Sequence, residues 1–175
     1  MRGLLIGRFQ PFHHGHLSVL REIRTNRPNE ELLLAIGSAQ DSYTWRNPFT
    51  AGERMEMIGR ALREAELTGV VPVPIPDIDR HAVWVRYVES FLPHFERVYT
   101  NNPLTRLLFE QARYTVESPR LVDRALFEGE TIRGLMAAGG EWKSHVPGAV
   151  VRFLEEIDAA QRLKILREGE APSAR

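Results

Sequence analysis

The sequence predicts a doubly wound α/β domain, a parallel sheet of five strands with further helices towards the C-terminus. Short apolar runs alternate with amphipathic helical segments along most of the 175 residues. The first strand, helix and strand occupy only the first 36 residues, which is the size of a right-handed βαβ unit. Repetition of this unit along the chain gives one parallel sheet with helices on both faces.

The first βαβ unit is marked by an apolar run at each end. Arg2–Ile6 is short, apolar and followed by a glycine, as expected for a buried strand. After the loop 8–12, a helix is predicted from apolar residues at helical spacing, which are Leu17, Leu20 and Ile23. Asparagine and proline end this helix, and Glu31–Ile36 forms the second strand.

A capping box begins the second helix. The side chains of Thr50 and Glu53 can each accept a hydrogen bond from the other residue's backbone N–H. The apolar face of this helix is predicted to contain Met55, Ile58 and Leu62. Val70–Ile75 forms the third strand, and its two prolines cannot donate ladder hydrogen bonds, so we expect this strand at an edge of the sheet.

The remaining elements continue the alternation. A helix, a strand, a helix and a strand are predicted at Ala82–Leu92, Arg97–Thr100, Leu104–Gln111 and Tyr114–Glu117. A short helix follows at Thr131–Ala138, and after Pro147 comes one longer helix with its apolar residues in register from Val150 to Leu163. Residues 1–168 are therefore expected to form a single domain, and residues 169–175 a flexible C-terminal tail.

Composition excludes several classes of protein. There is no cysteine, which excludes a disulfide framework, a thiolate nucleophile and a cysteine-ligated metal. The 23 basic and 23 acidic residues balance, so charge gives no indication of a nucleic-acid or membrane partner. The longest apolar stretch, Leu32–Ile36, falls far short of the roughly 18 residues that cross a membrane, and the N-terminus lacks the long apolar region of a signal peptide. We expect a soluble, cytoplasmic protein.

A ligand site is predicted at one edge of the sheet. Doubly wound sheets bind ligands beyond the carboxyl ends of their strands, where the strand order reverses. The candidate loops are therefore those that leave the predicted strands, namely 7–12, 37–49, 76–81, 101–103 and 118–128.

The first of these loops leads into a His-x-Gly-His sequence at the start of a helix. His13 and His16 can lie on one helical face, and Gly15 allows a ligand to approach the backbone. Free N–H groups and the helix dipole favour an anion at this position. The pattern therefore indicates a phosphate site, with a metal site or a plain surface cluster of histidines as the weaker alternatives.

The run GRFQPFHHGH, residues 7–16, resembles the first motif of the nucleotidyltransferase superfamily. The similarity is strongest to the archaeal-type nicotinamide-nucleotide adenylyltransferases, which have a Rossmann-like fold, and it extends from Arg2 to about residue 155. It continues in 36–40, in 46–54, in Pro76-Asp77-Ile78-Asp79 with Trp84-Val85, in Val98-Tyr99 with Asn102-Pro103, and in Gly129 with Ile132-Arg133.

The resemblance implies an ATP-binding set of residues. His13 and His16 match the histidines that hold ATP phosphates, with His16 the one expected to act in the transition state. Arg8 matches the arginine that bridges the phosphates of ATP and nicotinamide mononucleotide (NMN). Arg133 matches the arginine that holds the pyrophosphate end of ATP, and Arg124 supplies a second basic position. Phe9 and Gly15 complete this set.

The resemblance also implies an NMN-binding set. Arg46 matches a ligand of the NMN phosphate, and Asn102 belongs to the same set. Asp77 and Trp84 match the pair that binds the nicotinamide, the first through its carboxamide and the second by stacking on the ring. Each has a structural alternative: Trp84 fits a core position, Asp77 an N-cap or turn, and Arg46 a solvated surface.

The implied reaction is the transfer of AMP from ATP to NMN, giving NAD and pyrophosphate. It uses Mg²⁺ held mainly by ATP and water, with no protein metal ligand assigned, in a homo-oligomer that is often a hexamer. The alternatives are another acceptor (nicotinate mononucleotide, FMN or pantetheine phosphate), a cytidylyltransferase, or a sensor that binds a nucleotide without turnover. The chain departs from the family at Glu130, where the family has serine or threonine. This carboxylate is expected to point away from the phosphates and pair with Arg124 or Arg133, and the alternative is that it reaches the Mg²⁺.

Overall fold

The computed structural model describes residues 1–120 and 128–170. Its centre is a five-stranded sheet with the order β3-β2-β1-β4-β5, in which all neighbouring strands are parallel. The strands are β1 (Arg2–Gly7), β2 (Glu31–Ile36), β3 (Val70–Pro74), β4 (Arg97–Tyr99) and β5 (Thr115–Glu117). The predicted doubly wound fold is therefore confirmed, with the proline-containing β3 at an edge.

Helices connect and cover these strands. They are α1 (His14–Asn26), α2 (Ala51–Glu64), α3 (His81–Glu89), α4 (Pro103–Gln111), α5 (Gly129–Ala138), α6 (Gly148–Glu156) and α7 (Ala159–Glu170), with a short 3₁₀ turn at Lys143–His145. The predicted capping box of α2 is present, because the N–H of Glu53 donates to Thr50 Oγ1 at 3.1 Å and the N–H of Thr50 donates to Glu53 Oε2 at 2.9 Å. No helix among the described residues is both long and apolar enough to cross a membrane.

The order of the strands places a crevice beside β1. The chain runs outwards from β1 through β2 to β3, and then returns to add β4 and β5 on the other side of β1. The order thus reverses between β1 and β4, where the loops leaving these strands diverge and open a crevice for a ligand.

Two apolar clusters cover the two faces of the sheet. Because side chains alternate across a strand, Leu32 and Leu34 of β2 lie in one cluster with residues of α1, α2, α5, α6 and α7. Leu33, between them, lies in the other cluster with Val88 of α3 and Phe109 of α4. Central strands buried on both faces are typical of a parallel sheet.

The predicted helix after Pro147 is wrong in one respect, because the structure has two helices there. Between α6 and α7 the backbone of Asp158 is left-handed, with φ 50°, and its N–H donates to the carbonyl of Glu155 at 3.1 Å. Aspartate tolerates this conformation better than most residues. As a result Ala159, rather than Ala160, is fully buried.

The buried face of α2 and the ends of α3 and α7 also differ from the predictions. Met55 is 37% exposed, and the buried face of α2 instead includes Arg54 and Met57. Helix α3 ends at Glu89, since residues 90–92 form turns, with the N–H of Ser90 donating to the carbonyls of Arg86 and Tyr87. Helix α7 extends to residue 170, two residues into the predicted tail, and residues 171–175 lie outside the described part of the chain.

Candidate active site

Two adjoining cavities open at the carboxyl end of β1, with volumes of about 490 Å³ and 430 Å³. The loop after β1 and the first turns of α1 and α5 form their common wall. That wall contains Arg8, Phe9, His13, His16, Gly129 and Glu130. The predicted edge of the sheet is therefore where the cavities lie.

His13 and His16 form a reciprocal cap at the start of α1. His13 is the N-cap residue, and its Nδ1 accepts from the N–H of His16 at 3.3 Å. Nδ1 of His16 accepts from the N–H of His13, also at 3.3 Å. The two rings stack with their centroids 3.5 Å apart. This arrangement is a capping box built from two imidazoles, and it explains why the pair lies at a helix start.

The same arrangement sets the protonation of both rings. Burial lowers the pKa of His13 to about 3, and the pKa of His16 is lowered well below its usual value by burial and by His13. Both rings are therefore neutral near pH 7. Since each Nδ1 accepts a hydrogen bond, the proton of each neutral ring is on Nε2. The pair thus offers two uncharged N–H donors in the wall of the cavities.

Phe9 fixes the position of the second imidazole. Its backbone is left-handed, with φ 53°, and its buried ring contacts the ring of His16 edge-on, with 4.8 Å between centroids. A Cβ at Gly7 would lie 2.7 Å from Cζ of Phe9, so the ring can take this place only above a glycine. The left-handed backbone of Phe9 therefore places its ring against the His16 imidazole.

Three arginines give the first cavity its positive charge. Arg8, Arg46 and Arg133 line it, and burial together with the neighbouring Arg8 and Arg46 lowers the pKa of Arg133 to about 10. Arg133 is 4% exposed; its Nη1 donates to the carbonyl of Gln10 at 2.8 Å, and its buried Nε has no hydrogen-bond partner among the described residues. Mutually repelling guanidinium groups with an unsatisfied N–H form an anion site.

Glu130 lies in the wall of both cavities. Its charge raises the pKa of Arg8 and of Arg133, opposing the effect of burial. Glu130 is exposed and lies in the first turn of α5, whose start forms part of the cavity wall. That its carboxylate points away from the phosphates and pairs with an arginine stays a prediction. Arg124, the other partner predicted for it, lies outside the described residues.

The second cavity contains two more of the predicted residues, Gly15 and Asn102. Asn102 is the N-cap of α4, and its Oδ1 accepts from the N–H of Thr105 at 3.0 Å. Its side chain is thereby fixed beside the crevice between β1 and β4.

Asp77 and Trp84 lie outside both cavity walls. Asp77 is exposed, and its Oδ2 accepts from Ser38 Oγ at 2.5 Å. The N-cap of α3 is Arg80, so the alternative that Asp77 caps this helix is wrong. Trp84 is half-buried and meets Phe109 edge-on, with 5.6 Å between centroids. The structure therefore brings together the predicted ATP-binding residues that it describes and Arg46, and leaves the nicotinamide pair to one side.

Residues 4–145 match the model of the cytidylyltransferase-like family. The chain belongs to this family. Curated relatives named nicotinamide-nucleotide adenylyltransferase match over almost their whole length. Those of Picrophilus torridus and Halobacterium salinarum are 45% and 48% identical to this chain, each over 97% of it and over 99% and 94% of their own length. That of Thermoplasma acidophilum is 46% identical over 94% of this chain and 91% of its own.

Solved structures confirm the cytidylyltransferase-like fold. A bifunctional NMN adenylyltransferase/ADP ribose pyrophosphatase from Francisella tularensis, complexed with AMP and a manganese ion, superposes with a TM-score of 0.77 at 22% identity. A second structure of that protein gives 0.76 at 20% identity. The chain is covered to 94% and 96%, but spans only about half of those longer chains, 51% and 53%.

Two residues of this cytidylyltransferase-like site were not predicted from the sequence. Gln10 is buried and exchanges two hydrogen bonds of 3.0 Å with the backbone of Phe49, while its carbonyl accepts from Arg133. Trp45 lines the first cavity, with the guanidinium carbon of Arg133 5.8 Å from its ring centre. Both residues lie in irregular loops, where no helical or strand period reveals burial. The available signals were the motif 7–16, which contains Gln10, and the block around Arg46, next to Trp45.

Proposed function

We propose that this member of the cytidylyltransferase-like family transfers the AMP moiety of ATP to NMN, forming NAD and pyrophosphate. The observation that carries the proposal is the wall of the first cavity, where two neutral imidazoles and three guanidinium groups converge at the point of strand reversal. The nicotinamide-nucleotide adenylyltransferases of P. torridus and H. salinarum, which match over nearly their full length, support the same reaction.

The reaction is a single in-line displacement at the α-phosphorus of ATP. An oxygen of the NMN phosphate forms the new P–O bond, while the bond to the oxygen that bridges the α- and β-phosphates breaks and pyrophosphate leaves with that electron pair. A phosphate monoester is already largely ionised near neutral pH, since its second pKa is about 6, so no side-chain base is required. The protein acts by positioning and by stabilising the developing negative charge.

The ATP phosphates are assigned to the imidazoles and the arginines. His13 and His16 donate through Nε2 without bringing a positive charge, so they align the phosphates without holding them too tightly. The buried Nε of Arg133 is assigned to the pyrophosphate end, where the leaving group gains charge. Arg8 lines both cavities and is assigned to bridge the two substrates. Phe9 and Gly15 shape the ATP-binding part of the wall.

The NMN phosphate is assigned to Arg46, which lines the first cavity. Asp77 and Trp84 are assigned to the carboxamide and the ring of the nicotinamide, and Asn102 to the same substrate. The carboxylate of Asp77 can accept from an amide N–H but repels a substrate carboxylate. The proposed acceptor is therefore NMN rather than nicotinate mononucleotide.

Magnesium is the proposed metal. Two carboxylates, Glu128 and Glu130, line the second cavity. This donor set fits an ion that keeps mainly nucleotide oxygens and waters, as Mg²⁺ does, with Glu130 within the same wall. When bound, the ion would neutralise charge on the ATP phosphates.

The proposal is tested with purified protein, ATP, Mg²⁺ and one acceptor at a time: NMN, nicotinate mononucleotide, FMN or pantetheine phosphate. We expect dinucleotide and an equal amount of pyrophosphate with NMN, and a much lower rate with nicotinate mononucleotide. An Asp77→Asn variant, which removes the repulsion of the substrate carboxylate, should reduce the difference between the rates with NMN and with nicotinate mononucleotide. Binding of ATP without pyrophosphate release for any acceptor would instead support the sensor alternative.

The homo-oligomer and the cytoplasmic location remain predictions. Light scattering checks the first, and cell fractionation checks the second.

A further inference from the structure

Arg54 is a fully buried charge whose hydrogen-bond partners are backbone carbonyls. It is 0% exposed on the inner face of α2. Nη1 donates to the carbonyls of Gly37 at 2.7 Å and Arg8 at 3.0 Å, Nη2 donates to Ser38 at 3.0 Å, and Nε donates to Thr50 at 3.3 Å. Burying a guanidinium in this way is costly, and an apolar residue would fill the same space at lower cost.

The four carbonyls belong to three segments of the chain. Arg8 follows β1, Gly37 and Ser38 follow β2, and Thr50 begins α2. Two left-handed residues lie at these contacts, Ser38 itself with φ 50° and Phe9, next to Arg8, with φ 53°. Such backbone conformations are unfavourable for residues with a side chain and persist only when their surroundings hold them. One guanidinium therefore joins two strained loops.

Both loops reach a residue assigned above to a substrate, the first directly and the second through a hydrogen bond. The first carries the side chain of Arg8 into both cavities. In the second, Ser38 Oγ donates to Asp77 Oδ2 at 2.5 Å, so the position of Ser38 sets that of the carboxylate. Arg54 thus lies behind the arginine assigned to both phosphates and behind the carboxylate assigned to the nicotinamide carboxamide.

We infer that Arg54 is a positioning residue that sets the distance between the ATP-binding and the NMN-binding loops. This inference rests on the proposed function, because it concerns the alignment of the two substrates. Without the guanidinium, the carbonyls of Gly37 and Ser38 lose a buried donor, and both loops can relax independently. A misplacement of about 1 Å between reacting groups can lower a rate by about 10²-fold.

The test compares Arg54→Lys and Arg54→Met with Phe95→Leu. Phe95 is buried in the apolar cluster that contains Leu33. It lies just before β4, at the amino ends of the strands, whereas the cavities open at their carboxyl ends. Phe95→Leu therefore controls for a loss of stability alone. For Arg54→Met we expect a kcat about 10- to 100-fold lower and a higher KM for both substrates, with Arg54→Lys between this variant and the wild type. Phe95→Leu should keep the kinetic constants of the wild type whatever its melting temperature.

A second readout does not depend on turnover. Hydrogen exchange in 8–12 and 37–41 should accelerate in both Arg54 variants and not in Phe95→Leu. Ser38→Ala, which keeps Arg54, should raise the KM for NMN and leave that for ATP unchanged, and it carries the test if the Arg54 variants do not fold.

Wild-type kinetic constants in a folded Arg54→Met variant would overturn the inference. So would an acceleration of hydrogen exchange that is spread evenly over the sheet. Equal effects on both substrates in Ser38→Ala would also overturn it. Failure of the proposed function is distinguishable, because the wild type itself would then form no dinucleotide.

Discussion

The rings of His13 and His16 stack 3.5 Å apart, with 19° between their planes, while each Nδ1 accepts the backbone N–H of the other residue. This stacked and mutually hydrogen-bonded histidine pair has two effects. It caps the N-terminus of α1, and it turns two protonatable side chains into neutral donors beside a cationic cavity.

The neutrality of the pair predicts how stability depends on pH. The pKa of His13 falls from its usual 6.5 to about 3 on folding, so below pH 6.5 the unfolded chain binds a proton that the folded chain does not. This histidine therefore makes stability fall as the pH decreases from 6.5 towards 3. His13→Asn keeps an N-cap acceptor without this titration. Between pH 7 and pH 5 it should lose about 1–2 kcal/mol less free energy of unfolding than the wild type.

Urea unfolding at the two pH values measures this difference. His13→Ser, a second N-cap acceptor that does not titrate, should show the same reduced pH dependence as His13→Asn. If both variants and the wild type lose the same free energy of unfolding between these pH values, the folded protein does not hold His13 neutral.

His16 can be tested with its capping and donor roles separated. Asparagine places an acceptor near the position of Nδ1, and glutamine places an amide near that of Nε2. His16→Asn should therefore lower kcat by about 10²–10³-fold, the scale of losing one transition-state donor, with little change in melting temperature. His16→Gln should retain more activity at a lower melting temperature. Unchanged turnover in His16→Asn would remove His16 from the reaction.

Substitution of Trp84 distinguishes stacking on the nicotinamide ring from packing in the core. Stacking on a flat ring contributes about 1–3 kcal/mol, so Trp84→Ala should raise the KM for NMN about tenfold or more and that for ATP far less. Trp84→Phe preserves an aromatic contact with Phe109 and should recover part of the NMN affinity. A loss of stability with equal effects on both substrates would assign Trp84 to packing alone.

Glu130 faces the same cavities as the arginines, so it competes with bound phosphates. Glu130→Thr should lower the KM for ATP several-fold, a charge–charge effect of about 1 kcal/mol that weakens as salt is added. The assay uses saturating NMN and Mg²⁺. Glu168→Gln removes an exposed charge elsewhere, on α7, and should have no effect. A weaker affinity for ATP or a greater need for Mg²⁺ in Glu130→Thr would mean that the carboxylate helps to bind the metal–nucleotide complex.

The parts of the fold that local patterns determine were predictable. Leu32–Ile36 is apolar throughout because β2 is buried on both faces, and Thr50 with Glu53 forms the capping box that their spacing indicates. The histidine pair was predictable as a site for the same reason, since its spacing and its place after a strand are both local features.

The errors arise where a distant contact decides the structure. The predicted buried face of α2 was displaced towards Met55 because hydropathy counts Arg54 as an outward residue. The carbonyls of the loops after β1 and β2 nevertheless hold it inside. The helical period continues across Asp158, so nothing local indicates that the chain turns there between α6 and α7. Gln10 is buried by Phe49 and Arg133, which are remote in sequence.

The proposed reaction joins ATP and NMN in this cleft through the α-phosphate of ATP. The most direct test supplies the wild-type protein with Mg²⁺, NMN and ATP labelled with ³²P at the α-phosphate, and follows the label. We expect the label in a dinucleotide that co-migrates with NAD, with an equal amount of unlabelled pyrophosphate and no labelled protein. Label that stays in ATP, or that appears only in AMP or on the protein, would contradict the proposed transfer.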